Sequence, residues 1–204
     1  MERFQLKPTI YFGPDALAAL DALAGKRVMV ITDAFLSSSG LLDRVTARLT
    51  GCTVERFTEV VPDPSLALVA RGARALADFR PEAVVAFGGG SPMDCAKAMC
   101  WFSGDRDLPL YCIPTTAGTG SEVTQYSILT NDEAGTKTSL ALPCLFPRLA
   151  FLDGKYTLGL PRRVSVNTAI DALSHCVEGM LSNLAGDITD ALAREGCGRI
   201  CACL

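Results

Sequence analysis

The sequence has a single histidine, no long apolar run and no cluster of basic residues. The last two shortages each argue against a class of protein. His175 is the only histidine among 204 residues. The longest apolar runs, such as AVVAF at 83–87, are far too short to cross a bilayer, which argues against a membrane protein. Basic residues are scattered along a chain of formal net charge -3, so nothing indicates a nucleic-acid-binding surface.

The first residues and the cysteines indicate where the protein works. MERFQLKPTIYFG has two early charges and no apolar core, so it does not resemble a secretory signal, and we expect a cytoplasmic protein. The last three cysteines, in CGRICACL, fit no common zinc spacing. Although Cys201 stands fourth from the end, as in a prenylation signal, a frayed or truncated end accounts for this segment better. The other six are spread singly through apolar segments, which predicts buried thiols in a reducing compartment: Cys52, Cys95, Cys100, Cys112, Cys144 and Cys176.

Strand and helix patterns alternate over the first 150 residues. Short apolar runs bounded by turn residues predict strands, and longer segments with helical spacing follow them. This alternation predicts an α/β fold with a doubly wound parallel sheet. The predicted strands are 27–33, 53–60, 82–90 and 108–116, and the predicted helices are 39–49, 65–79 (with Ser65 as N-cap) and 92–102.

The pattern changes after about residue 160. Residues 164–183 and 187–200 both have helical spacing, with no strand between or after them. We therefore predict a first domain over 1–158 and the start of an all-helical domain over 159–204. Two helices bury little surface by themselves, so the second domain is expected to be incomplete.

Three consecutive glycines follow the third predicted strand, in FGGGSPMDCAK at 87–97. Glycines let the backbone approach a phosphate closely, and a helix start presents unpaired N–H groups. Ser91 is predicted to be the N-cap, Pro92 the first helical residue and Asp94 the partner in a capping box. Met93 stands where the usual dinucleotide fingerprint has its third glycine. The predicted phosphate-binding turn therefore differs from that fingerprint. The alternative, a plain strand-to-helix turn, needs only one glycine.

Two further features belong to the same predicted edge of the sheet. IPTTAGTGSEVT, at 113–124, has five hydroxyl residues and two glycines after a strand end, where open parallel sheets bind ligands. Asp33 ends the first predicted strand, where its carboxylate would accept hydrogen bonds from ribose hydroxyls and repel a 2′-phosphate, favouring NAD over NADP. The alternative for Asp33 is an N-cap of the next helix.

DALSHCVEG, at 171–179, places two acids and the histidine on one helix face. Asp171, His175 and Glu178 have the spacing i, i+4 and i+7, and their side chains are of the kinds that bind metals. Three or four protein ligands are usual, and the chain has no second histidine. The alternative is a helix-face histidine with satisfied hydrogen bonds.

Together these motifs resemble the iron-dependent (group III) alcohol dehydrogenases, relatives of glycerol dehydrogenase and dehydroquinate synthase. The resemblance runs from IYFG to about residue 195 and rests on GGGSPMDCAK, PTTAGTGSEVT, Lys137 in TKTSL, FLD and DALSHCVEG, in the family's order. It implies a Rossmann-like NAD-binding domain and a helical domain that holds a divalent metal, usually Fe²⁺ and otherwise Zn²⁺. Gly154 departs from the family's frequent proline, and CGRICACL does not resemble its continuing helix.

The resemblance also implies roles for single residues. Asp171 and His175 match the first two of the family's four metal ligands, one aspartate and three histidines, and Glu178 is expected to support the helix instead. Lys137 is expected near the nicotinamide. The expected cofactor-binding residues are Gly89, Gly90 and Ser91 for the pyrophosphate, Thr115, Thr116 and Thr119 for phosphate and ribose oxygens, and Asp33 for the adenosine ribose.

The implied reaction is hydride transfer between a primary alcohol or aldehyde and NAD, in which the metal acts as a Lewis acid. No separate general base is identifiable. GTGSEVT and the Asp-x-x-x-His pair favour alcohol dehydrogenase over a glycerol-dehydrogenase-like or dehydroquinate-synthase-like activity. A nucleotide-binding fragment without catalysis is the alternative from another class. We expect a small-molecule substrate and no nucleic-acid or membrane partner, and a homo-oligomer stays open.

Overall fold

The structure is a computed structural model that describes residues 4–204. Its strands are β1 (Thr9–Phe12), β2 (Arg27–Asp33), β3 (Thr53–Val60), β4 (Ala83–Gly88), β5 (Leu110–Pro114), β6 (Tyr126–Asn131), β7 (Thr136–Ala141) and β8 (Leu149–Leu152). Its α-helices are α1 (Ala34–Ser38), α2 (Leu41–Thr46), α3 (Leu66–Phe79), α4 (Gly90–Phe102), α5 (Arg162–Leu181) and α6 (Asp187–Cys203). Short 3-10 helices span Ala16–Leu23, Ser121–Val123, Pro143–Leu145 and Gly154–Tyr156.

Six strands form one parallel sheet in the order β1-β8-β5-β4-β2-β3. From β2 the chain moves outward to β3, then returns to the other side of β2 and continues through β4 and β5. The direction of winding therefore reverses between β2 and β4. A crevice opens at such a reversal, beyond the carboxyl ends of the two strands, and ligands of open α/β sheets bind there.

The sheet has a hydrophobic core on each face, because its central strands carry runs of consecutive apolar residues. Along β2, Val28 and Val30 point to the core that holds α2, while Met29 and Ile31 point to the core that holds α3 and α4. Continuous apolar strands of this kind are typical of a parallel sheet covered on both faces. The prediction of a doubly wound α/β fold is confirmed.

All four predicted strands are present, two of them with the predicted bounds and two, 82–90 and 108–116, one or two residues shorter at each end than predicted. The strands 27–33 and 53–60 were predicted to the residue, and Ser65 caps α3 by accepting from the Leu68 N–H at 3.2 Å. The helix predicted over 39–49 was wrong in its bounds. Gly40, with φ of 78°, separates α1 from α2, since a left-handed residue ends one helix before the next begins.

Four strands were not predicted. The strands β1 and β8 have four residues each and pair with one another across most of the chain, from Thr9↔Leu149 to Phe12↔Leu152. The strands β6 and β7 form an antiparallel hairpin that packs against α4, and Leu129 of this hairpin is buried in the core beside α3 and α4. The four-residue strands are too short for a periodic pattern to be recognised, and β7 is largely exposed and polar.

The helices α5 and α6 follow the last strand, as predicted. They contact one another, and neither contains a buried residue. The last strand ends at Leu152 and α5 begins at Arg162; the domain boundary at 158 stays a prediction. No helix within residues 4–204 combines the length and the apolarity needed to cross a membrane. Large apolar side chains are exposed on or between the two helices: Ile170, Val177, Leu181, Leu184, Ile188 and Leu192.

Candidate cofactor cleft

A cleft of about 680 Å³ lies at the point where the winding reverses. Its floor is formed by the residues that follow β2, β4 and β5, and the segment 159–161 together with Val164 closes one side. Six of the eight residues that the sequence proposed for cofactor binding line this cleft: Asp33, Gly89, Gly90, Ser91, Thr115 and Thr116. The fold therefore brings together residues that are up to 83 positions apart in the chain.

The three glycines after β4 are each needed for a contact. Gly88 has φ of +151°, and a Cβ there would lie 2.5 Å from Cγ of Pro92. A Cβ on Gly89 would lie 3.2 Å from Oγ1 of Thr116, and one on Gly90 would lie 3.0 Å from Cγ2 of Thr119. The Thr/Gly loop, residues 115–120, thus packs directly on the glycine turn. Packing against the loop is therefore one reason for the second and third glycines, and phosphate binding by this turn stays a prediction.

Helix α4 begins two residues earlier than the capping prediction placed it. Gly89 is the N-cap, so Ser91 and Pro92 both lie inside the first turn and Ser91 is not the cap. Asp94 does not close a capping box either, because its carboxylate accepts hydrogen bonds from Ser121 and from Ile128 of the hairpin. Gly90 and Ser91 line the cleft, so the unpaired N–H groups of the helix start lie at its wall. Such a helix start favours an anion.

Asp94 and Lys97 attach the segment after the Thr/Gly loop, and the hairpin, to α4. Asp94 Oδ1 accepts from Ser121 Oγ at 2.6 Å, and Oδ2 accepts from the Ile128 N–H at 3.0 Å. Lys97 Nζ donates to the Ser121 carbonyl oxygen at 2.6 Å and to the Tyr126 carbonyl oxygen at 2.8 Å. Lys97 is a buried charged residue, and the other buried residues of the helix are apolar. Sequence analysis missed this role; the available signal was a lysine inside an otherwise apolar helix, three residues after an acid.

Burial changes the acid–base properties of this cluster. It raises the pKa of the Asp94 carboxyl, although hydrogen bonds from Ser121 and Ile128 and the charge of Lys97 oppose the shift. Burial lowers the pKa of the Lys97 ammonium, against the charges of neighbouring acidic groups that include Asp94 and Glu122. Burial likewise raises the pKa of Glu122. These groups lie beneath the loop rather than in the cleft, which fits a part in holding the loop.

Asp33 lies at the mouth of the cleft and also caps a helix. Its Oδ1 accepts from the Leu36 N–H at 2.8 Å, so the N-cap alternative is observed. The residue lines the cleft at the same time. A carboxylate has a second oxygen, so capping α1 does not prevent this side chain from accepting a ligand hydroxyl.

Two of the proposed cofactor residues do not line the cleft. Thr119 lies behind Gly90, and its Oγ1 accepts from the Ser121 N–H at 3.3 Å. Lys137 lies on β7, where its Nζ pairs with Asp63 Oδ1 at 2.6 Å and its side chain is 60% exposed. Asp63 follows the cleft residue Pro62 directly, so this ion pair joins the hairpin to the rim of the cleft. A role for Lys137 beside the nicotinamide stays a prediction.

The proposed metal ligands lie on α5, next to the Thr/Gly loop. A Cβ on Gly118 would lie 2.8 Å from Cβ of Thr168, so the loop touches α5 one turn before Asp171. His175 Nε2 lies 3.9 Å from Asp171 Oδ1, and both side chains are partly exposed. Over residues 4–204 no group of three or more His, Cys, Asp or Glu side chains is arranged to hold a metal. Asp171 and His175 are therefore two candidate ligands on one face of α5.

The cysteines divide by burial. Burial raises the pKa of the Cys95 and Cys100 thiols to about 12 and also raises the pKa of the Cys112 thiol, so these three are inert apolar residues as expected. Cys52 and Cys176 are half-buried. The prediction was wrong for Cys144, which is exposed where a loop follows the hairpin, and Cys201 and Cys203 are exposed on α6.

The sequence and structure are similar to those of known dehydrogenases. The sequence model of the family described as iron-containing alcohol dehydrogenase matches residues 7–154. The 1-propanol dehydrogenase PduQ of Salmonella typhimurium is 37% identical over 199 residues, which are 96% of this chain and 54% of that protein. The NADPH-dependent butanol dehydrogenase of Clostridium saccharobutylicum is 33% identical over 217 residues, 96% of this chain and 56% of the relative.

A solved structure supports the same likeness. Sulfoacetaldehyde reductase from Bifidobacterium kashiwanohense, in complex with NAD⁺, superposes with a TM-score of 0.89 at 31% sequence identity. The match covers 98% of this chain and 58% of that one. The chain thus spans somewhat more than half the length of each of these proteins.

Proposed function

Since the chain belongs to the iron-containing alcohol dehydrogenase family, we propose that it binds NAD as part of a metal-dependent enzyme that transfers hydride between a primary alcohol or aldehyde and NAD. The observation that carries the proposal is the cleft where the winding reverses, with a glycine turn and a helix start on its wall. Because the chain spans about half the length of its relatives, the activity is proposed for the assembled enzyme.

Each wall of the cleft would bind a different part of the dinucleotide. The glycine turn and the first turn of α4 would present backbone N–H groups to the pyrophosphate, through Gly89, Gly90 and Ser91. Thr115 and Thr116 offer hydroxyls from the strand beside it to phosphate and ribose oxygens. Asp33, at the end of β2, would accept from the hydroxyls of the adenosine ribose.

The candidate metal pair suits one side of a divalent site. A carboxylate and an imidazole are ligands that Fe²⁺ and Zn²⁺ both accept, and their helical spacing lets them face one ion. Two side chains leave further positions to be filled by groups outside this pair. When bound, the cation supplies Lewis acidity to the alcohol oxygen, and NAD supplies the hydride acceptor. The residues of this chain bind and orient; the Thr/Gly loop, which contacts both Gly90 and Thr168, joins the two regions.

Nucleotide binding without catalysis is the second candidate. The observation that favours it is that residues 4–204 hold only two candidate ligands in one place. It predicts NAD binding with no alcohol oxidation even when the remaining helices of a relative are supplied. Metal retention and NADH production by the chain joined to the second half of a relative decide between the two candidates.

Cofactor choice is the first test, because relatives include an enzyme named for NADPH and a structure with NAD⁺. We expect tighter binding of NAD than of NADP in isothermal titration, since the Asp33 carboxylate would repel a 2′-phosphate. Asp33→Asn keeps a side-chain acceptor that can cap α1 and removes the charge. It should strengthen NADP binding about tenfold, which corresponds to about 1.4 kcal/mol.

Asp78→Asn is the matched control, an exposed acid on α3 outside the cleft. It should change neither affinity. Equal affinity of the unmodified chain for both cofactors, or tighter NADP binding, would contradict the role of Asp33. Absence of any dinucleotide binding would contradict the proposed function itself.

A further inference from the structure

Lys97 is a buried charged side chain that the proposed reaction does not use. It is 1% exposed, and three oxygens lie within 2.8 Å of its Nζ: the Ser121 carbonyl, Ser121 Oγ and the Tyr126 carbonyl. A fourth oxygen, Thr124 Oγ1, lies at 3.4 Å. An ammonium has three N–H donors, so the three short contacts use all of them. All four acceptors belong to residues 121–126, the segment that follows the Thr/Gly loop.

The hydroxyl of Ser121 connects Lys97 with Asp94. Ser121 Oγ accepts from Lys97 Nζ at 2.8 Å and donates its proton to Asp94 Oδ1 at 2.6 Å. A hydroxyl has one proton, so it cannot donate to both neighbours. The arrangement is satisfied by a charged ammonium on one side and an ionised carboxylate on the other. Asp94 also accepts from the Ile128 N–H, so one turn of α4 fixes the chain from 121 to 128.

The same hydrogen bonds reach the cleft through Thr119. The Ser121 N–H donates to Thr119 Oγ1 at 3.3 Å, and the Thr119 side chain is the group that packs on Gly90. Thr116, earlier in the same loop, packs on Gly89. The position of the Thr/Gly loop over the glycine turn is therefore set at its far end by Ser121, which Lys97 holds.

The acceptors that Lys97 satisfies account for a lysine at this position. An apolar side chain of similar length would avoid the desolvation of a charge, but it would leave three buried or partly buried oxygens without a donor and Asp94 without its neighbouring cation, which is destabilising. What an apolar side chain cannot provide is donors to three oxygens of an irregular segment. The 121–126 segment is irregular around its short 3-10 helix, so its carbonyl groups depend on partners outside regular structure.

We propose that Lys97 is a positioning residue for the cofactor cleft: through Ser121 and Thr119 it holds the Thr/Gly loop against the glycine turn, in the geometry that binds the pyrophosphate. This role rests on the proposed NAD binding. Lys97 touches no cofactor, and its effect reaches the cleft only through the loop.

The test compares cofactor affinity, loop protection and stability in the 204-residue chain. In Lys97→Met, which keeps the length and loses the donors, we expect the Kd for NAD to rise at least tenfold. Hydrogen exchange of the amides of 115–124 should become at least tenfold faster, a larger factor than for the amides of β2 and β4. The thermal midpoint should fall, because three buried or partly buried oxygens lose their donor. Lys97→Arg, which keeps a charged donor, should recover part of the affinity, a rescue that simple packing would not give.

Ser121→Ala is the second variant, because it removes the hydroxyl between the two charges without changing the core of α4. It should raise the Kd for NAD in the same direction. Lys26→Met is the matched control. Lys26 lies just before the amino end of β2, whereas the cleft lies beyond the carboxyl ends of the strands. It should leave affinity and loop exchange as they are.

Two results overturn the proposal. Unchanged loop exchange in Lys97→Met would show that the loop does not depend on the lysine. Faster loop exchange with unchanged NAD affinity would show that the loop position does not matter for binding, and it would leave the proposed function intact. An unmodified chain that binds no dinucleotide overturns the proposed function and this role together.

Discussion

Single glycines decide how closely two backbones approach at the cleft. At Gly88 the requirement is strict, because its φ of +151° and the ring of Pro92 both exclude a side chain. At Gly90 the backbone is helical and only Thr119 is in the way, with Cγ2 at 3.0 Å and Oγ1 at 3.1 Å from the place of a Cβ. The smallest substitution at Gly90 therefore tests the cleft with little disturbance of the backbone.

In Gly90→Ala we expect the Kd for NAD to rise about tenfold or more. The added methyl displaces Thr119 and lies at the wall that the pyrophosphate would approach. The cost in stability should stay within about 1–3 kcal/mol, the usual range for one extra methyl group in a packed place. Titration calorimetry and urea unfolding measure the two effects separately.

Gly179→Ala provides the comparison for this variant. Gly179 lies in the helix α5 with nothing near the place of its Cβ, so alanine should stabilise the chain by about 0.5–1 kcal/mol and leave NAD affinity unchanged. Normal NAD binding by Gly90→Ala would mean that the phosphate site lies elsewhere.

Two helices of the α/β domain pack through a glycine. A Cβ on Gly72 of α3 would lie 2.3 Å from Cε and 2.5 Å from Sδ of Met99 on α4, and Met99 is fully buried. The close approach of α3 to α4 therefore needs a residue without a side chain on one helix and a flexible one on the other. The helix α4 also supplies the first turn at the wall of the cleft.

Gly72→Val should lower the free energy of unfolding by about 1–3 kcal/mol, since Met99 must repack to admit the new side chain. Met99→Ala alone should cost about 2–5 kcal/mol through the cavity that it leaves. Together the two changes should cost less than the sum of the single effects, because the valine occupies space that the methionine vacates. Additive effects in urea unfolding would show that the two side chains do not compete for this space.

For the molecule as a whole, the α/β domain and the pair of helices after it are unequal in burial. The sheet has a core on both faces, whereas α5 and α6 contain no buried residue and expose large apolar side chains. Asp171 and His175 lie on α5, so the proposed metal ligands stand on the least buried part of the chain. The chain spans about half the length of its curated relatives.

Metal binding should therefore depend on residues beyond this pair. We expect the 204-residue chain to keep little Fe²⁺ or Zn²⁺ through gel filtration and to oxidise no short-chain primary alcohol. Joining to it the second half of a relative, such as the 1-propanol dehydrogenase of Salmonella typhimurium, should restore metal retention and NADH production together. His175→Ala in the joined protein should lose both, since the imidazole is the stronger of the two ligands for these ions.

Glu178→Gln serves as the control, because Glu178 follows His175 by one turn and is expected not to bind the metal. It should keep the metal content. Tight stoichiometric metal and full turnover in the unjoined chain would contradict the assignment, and metal retention without turnover in the joined protein would favour nucleotide binding alone.

The sequence by itself determined the features that depend on neighbouring residues. The strands 27–33 and 53–60 follow from short runs that fit a strand and end at turn residues, and the Ser65 cap follows from one side chain and a backbone N–H three residues on. The glycine turn and the Thr/Gly loop were placed at the sheet edge because parallel strands align their carboxyl ends. Local pattern and the order of the motifs were enough for these.

Only the tertiary structure decided the features that depend on contacts between distant segments. The edge strand β1 and its neighbour β8 pair with each other from opposite ends of the α/β domain, and no pattern of four residues reveals that. Asp94 has the spacing of a capping box, yet its carboxylate accepts from Ser121 and Ile128, since these lie closer once the hairpin packs on α4. Lys97 is buried for the same reason: its three acceptors are more than 20 residues away in sequence and meet only in the folded chain.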